Sequence, residues 1–144
     1  MQINVNSWQL WALLAAVFAA LTAIFAKVGI EGVNSSFATL LRTLVVVAAL
    51  TPLLWLTGEY QPLSTLSGRT VLFLVLSGLA TGASWLCYFR ALQLGQAGQV
   101  APVDKLSVVF VAILGAVFLG ERLSAVGWGG VGLIAAGAIL VAVG

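Results

Sequence analysis

The sequence predicts an all-α integral membrane protein, with five transmembrane helices forming a single unit over residues 1–144. Two observations predict it. Five apolar stretches of about 20 residues fill the chain, and a helix of that length spans a hydrocarbon core of ~30 Å. Only ten charged side chains remain, 6 Lys and Arg with 4 Asp and Glu, so hydrophobic residues make up 62% and charged residues 7%. An ordinary soluble domain has roughly 45–50% and 25%. A soluble fold of ~150 residues still exposes about 30% of its unfolded surface, and with this composition lipid must cover it.

The first helix is placed at residues 8–28. The residues ahead of it lack a basic n-region and a clear cleavage site, so this stretch is expected to be retained rather than removed as a signal peptide. A short polar link with Lys27, Glu31, Gly32 and Asn34 leads to the second helix at 35–56. The longest link, 57–68, carries Gly58, Pro62 and Gly68 as breakers before the third helix at 69–93. Gly95 and Gly98 punctuate the next turn, and the fourth helix is placed at 100–119. Gly120 marks the last turn before the fifth helix at 124–143.

Links this short make each helix antiparallel to the next, and an odd number of spans puts the termini on opposite sides, A for the N-terminus and B for the C-terminus. Side A then receives Trp8, Trp11, Trp55, Tyr60 and Trp128, the pattern of an interfacial aromatic belt. The loops offer Arg69 and Arg122 on side A against Lys27 on side B, with Arg90 and Lys105 near side B inside helix ends. This positive-inside signal conflicts with itself, and it permits insertion in both orientations.

Several function classes fall away. A net charge of +2 without a basic run gives no basis for nucleic-acid binding. One cysteine, Cys87, and no histidine leave a disulfide framework and the usual zinc sites unsupported, and no cofactor is implied. An intramembrane enzyme lacks a paired-carboxylate site and a nucleophile-base couple, so no catalytic residue is assigned.

A charge inside a span costs on the order of 2.5–3.5 kcal/mol, so each needs a partner, water or a task. Arg42 lies seven residues beyond Ser35, about 10 Å along a helix, too deep for easy snorkelling. Arg90 falls in the last turn of the third helix. Asp104 and Lys105 fall in the first turn of the fourth, where an acid following Pro102 would favour the helix dipole. These four are expected to converge towards side B. Three bases and one acid leave that cluster a net charge of two, which favours a carboxylate, phosphate or zwitterion over a bare cation. The bland reading of Asp104, Arg90 and Lys105 is that they satisfy one another and the helix ends, whereas the depth of Arg42 favours a functional or buried-network role over snorkelling.

The third helix adds Ser77, Thr81, Ser84 and Tyr88 at helical spacing with Trp85 beside them, and the first helix sets Trp11, Phe18 and Phe25 seven apart, with Thr22 a turn from Phe18. Such stripes can line a solute path, or their hydroxyls can bond to neighbouring helices and their own backbone. Gly78 with Gly82, Ala125 with Gly129 and Gly132 with Ala136 are small-xxx-small pairs suited to helix packing or dimerisation.

The run Ala101-Pro102-Val103-Asp104-Lys105-Leu106-Ser107, continuing through Leu119-Gly120-Glu121-Arg122-Leu123-Ser124 into a Gly-rich last helix ending Ala135-Ala136-Gly137, resembles the C-terminal half of an EamA domain of the drug/metabolite transporter superfamily. Arg42 and the segment Tyr88-Phe89-Arg90-Ala91-Leu92 extend the resemblance over essentially the whole chain. Most members carry two such units, oppositely oriented; this chain holds one, so it resembles the five-helix bacterial and archaeal branch. The resemblance implies a multi-pass transporter of small organic metabolites in the cell (inner or plasma) membrane, working by alternating access as an antiparallel, dual-topology homodimer. Arg42 and Lys105 would contact or gate the solute, with Asp104 as their tuning partner and Arg90, Tyr88, Trp85, Ser84 and Thr81 around them. The four-helix small multidrug exporters of the superfamily use a carboxylate in their first helix, and the stretch 8–28 contains none. Asp104 is then the one span carboxylate available to carry a proton. A multidrug exporter and a non-transporting membrane scaffold or accessory subunit are the competing readings. Glu121 and Arg122 belong to the family pattern, but helix capping and hydration in an interfacial turn explain them.

Overall fold

A computed structural model describes residues 8–144, and the stretch ahead of the first helix, residues 1–7, lies outside it. Among the described residues every regular element is a helix: α1 (Trp8–Gly29), α2 (Ser35–Thr57), a 3-10 turn (Leu63–Thr65), α3 (Gly68–Leu94), α4 (Ala97–Asp104), α5 (Ser107–Phe118) and α6 (Ala125–Val143). Five spans are long and apolar enough to cross a membrane, with α4 and α5 together forming one of them, Ala97–Phe118.

In lipid each helix must satisfy its own backbone, and the ends show how it does so. The Asn34 side chain accepts from the N–H groups of Ser36 and Phe37 at 2.9 and 3.2 Å, which starts α2. Gly58, left-handed at φ 70°, ends it by donating to the Leu54 carbonyl. The Ser67 hydroxyl accepts from the Thr70 N–H at 3.1 Å ahead of α3, and Ser124 does the same for α6 through Gly127 at 3.1 Å. Within α2, Thr39, Thr43 and Thr51 each donate to the carbonyl four residues back at 2.8 Å, so these hydroxyls cost the span little.

The fourth span departs from its expected form. It begins at Ala97, three residues before position 100, and is broken between α4 and α5. Pro102 is interior, not initial. Lacking an N–H, it leaves the Gly98 carbonyl without its intrahelical bond, and the chain tightens just beyond: Leu106 donates to Val103, Val108 to Lys105 and Val109 to Leu106 at 2.9–3.0 Å, three residues back instead of four. Asp104 is therefore the last residue of α4 rather than part of a first turn. An acid there opposes the helix dipole instead of complementing it.

The chain divides into two compact units, one of residues 26–93 and the other of the described residues up to Phe25 with 94–144. In the second, α6 packs on α4 and α5. Few side chains are enclosed: Leu92 is fully buried and Phe89, Ile30, Ala23 and Ala138 nearly so. Trp8, Trp11, Trp55, Tyr60 and Trp128 are exposed.

Candidate functional site

Capping at Asn34 fixes the start of α2 and with it the depth of Arg42, about 10 Å along the helix from Ser35. On α3, Trp85, Tyr88, Phe89 and Leu92 stand at i, i+3, i+4 and i+7 and share a face. The Arg42 guanidinium carbon lies 4.2 Å from the centroid of the Trp85 ring and 5.4 Å from that of Phe89, and Tyr88 is within electrostatic reach.

Magnitudes decide what this cradle leaves undone. A cation over an aromatic face gains ~0.5–2 kcal/mol, whereas an Arg within a span costs on the order of 2.5–3.5 kcal/mol. The rings offset part of the cost. Among the described residues no carboxylate pairs with Arg42 and none accepts its N–H groups. A half-buried fork of five donors is thus stacked but not hydrogen-bonded, a geometry suited to a bidentate anion.

Arg90 is occupied differently. Its Nη1 donates to Oε1 of Gln93 at 3.2 Å, while Nε2 of Gln93 donates to the Val33 carbonyl at 2.7 Å. Lys27 Nζ donates to the Leu92 carbonyl at 2.5 Å. Sequence reasoning missed Lys27 and Gln93, and it named Phe89 without giving it a role. A base in the last turn of a helix was the one available signal.

Arg42 and Arg90 belong to the 26–93 unit, Asp104 and Lys105 to the other. Lys105 Nζ lies 3.3 Å from Oδ2 of Asp104, with the Lys side chain 55% and the Asp 35% exposed, so the described residues do not enclose this neighbouring pair. Thr81 donates its hydroxyl to the Ser77 carbonyl at 2.9 Å, and Ser84 is exposed. A Cβ added at Gly78, Gly82, Gly129 or Gly132 would meet nothing within 4 Å among the described residues. At Gly115 it would come 2.7 Å from Oε2 of Glu121, whose backbone N–H also reaches the Gly115 carbonyl at 3.1 Å across left-handed Gly120. The Glu121 carboxylate is folded back on the end of α5, a contact that sequence reasoning did not foresee.

The model of the EamA-like transporter family matches residues 6–143. A protein of Sinorhizobium sp. named as an uncharacterized transporter in the cobO 3' region is 62% identical over 138 residues, covering 96% of this chain and 98% of that protein. No solved structure matches the chain.

Proposed function

The chain belongs to the EamA-like transporter family, and from that membership we propose that it carries small organic metabolites bearing a carboxylate or phosphate, free or within a zwitterion, across the cell membrane. The observation that carries this reading is Arg42, a half-buried guanidinium stacked on Trp85 and Phe89 without an anion of its own. A solute carboxylate would complete its hydrogen bonds while the solute body lies against the rings. A lipophilic cation would meet a like charge there, which disfavours a multidrug exporter. Nothing in the scheme transforms the solute, and the protein acts as a carrier, not an enzyme.

One unit supplies half of an inverted-repeat transporter, so two copies inserted in opposite directions form the working antiparallel dimer, which alternates access around a site near the midplane. The self-conflicting charge bias of the loops supports that dual insertion. Lys105 and Asp104, at the broken span, gate or tune the path. The test is exchange of labelled amino acids, small carboxylates and phosphate esters in proteoliposomes, with Arg42→Gln run beside the native chain. Loss of exchange in a variant that still assembles supports the reading. No exchange of any of these solutes by the native chain, together with loss of assembly in Arg42→Gln, would replace it with a scaffold. Cysteines placed at positions 2 and 144 in a Cys87→Ser background should label from both faces of sealed vesicles, and single-sided labelling would exclude the antiparallel dimer.

A further inference from the structure

The last carbonyls of a helix have no intrahelical partner, and in lipid an unmet carbonyl is costly. In α3 one of them, that of Leu92, is met from 65 residues away by the Lys27 ammonium. The bond is charge-assisted and lies at the negative end of the helix dipole. The next residue, Gln93, reaches the Val33 carbonyl 60 residues away and is itself held by Arg90. Consecutive residues project about 100° apart around a helix. Two ties at positions 92 and 93 therefore fix both the height of α3 and its rotation about its axis.

Rotation matters because Leu92 lies on the same face as Trp85 and Phe89, and both Leu92 and Phe89 are buried, at 0% and 4% exposure. We propose that Lys27 and Gln93 are positioning residues that hold the aromatic face of α3 under Arg42, an inference that rests on reading Arg42 as the solute contact. They act through the phase of the helix: a turn of one residue position would carry Trp85 about 100° away from the guanidinium.

The experiment uses the full chain in lipid nanodiscs with 5-fluorotryptophan at all 5 tryptophans, the Trp85 fluorine resonance being the one lost in Trp85→Phe. Arg42→Gln should shift that resonance by removing the cation from the ring. Lys27→Met, which keeps the stem and removes the donor, should shift it too, leaving those of Trp8, Trp11, Trp55 and Trp128 in place, and Lys27→Arg should restore it. A Trp85 resonance unmoved by Lys27→Met overturns the proposal. Should Lys27→Met disturb all the resonances, Gln93→Ala decides: a shift confined to Trp85 supports the proposal and no shift overturns it. Transport plays no part in this readout, so a failure here leaves the solute reading standing, and a failure of exchange leaves the fluorine shifts interpretable.

Discussion

The unit of residues 26–93 and the unit that contains 94–144 meet the same demand in opposite ways. In the first, polar side chains reach far along the sequence to backbone carbonyls, Lys27 to Leu92 and Gln93 to Val33, and the Arg42 guanidinium is left over two aromatic rings. In the second, charge is settled between neighbours, Asp104 with Lys105, at a point where the helix itself gives way. Long-range ties make a frame that holds a side chain still. A local pair at an interrupted helix makes a place that can bend. An alternating-access carrier would need both.

The largest expected effect belongs to the frame. If Arg42 holds the solute anion, Arg42→Gln removes charge-assisted bonds to it worth about 3 kcal/mol, so solute exchange should fall on the order of 100-fold; a fall of only a few-fold would make the cradle structural and dissolve the contrast. The next belongs to the break. Pro102→Ala restores an N–H to the Gly98 carbonyl and should stabilise the fourth span by up to about 3 kcal/mol while slowing exchange. Higher thermal stability in detergent with unchanged exchange would show that the interruption has no part in turnover. Trp85→Leu should weaken solute affinity about tenfold, matching ~1–2 kcal/mol for a stacked cation, and should leave the maximal rate largely intact. Smallest is Asp104→Asn. An ion pair that the protein does not enclose contributes about 1 kcal/mol or less to stability, so any large change in exchange from this variant would move Asp104 from the break into the transport step itself.

The spans were legible because hydropathy over ~20 residues is a property of the sequence alone. Arg42 was legible for a similar reason: its distance from the start of α2 is a count of residues. Its partners were legible only in part. Tyr88 stood out at helical spacing with Trp85 beside it, but the choice of Phe89 as second ring depends on how α3 is turned, on which ties 60 and 65 residues long bear. Pro102 misled because proline suits a first turn as readily as it breaks an interior one. With the start three residues too late, Asp104 fell at the wrong end of its helix. Gly115 and Glu121 were hidden behind a left-handed Gly120 that folds the chain back on itself.

One feature of α3 makes the bilayer a participant. The helix is 27 residues long, about 40 Å, yet its arginines stand at positions 69 and 90, 21 residues or about 31 Å apart. That interval matches the hydrocarbon thickness, with Arg69 resting over the Phe73 ring at 5.9 Å near one boundary. Arg90 at the other boundary is hydrogen-bonded to Gln93. A membrane a few ångströms thicker or thinner would pull on that arginine, and its bond to Gln93 would pass the pull to Val33 in the link between α1 and α2. Acyl-chain length, set by the lipids a cell makes, would then bear on the cradle.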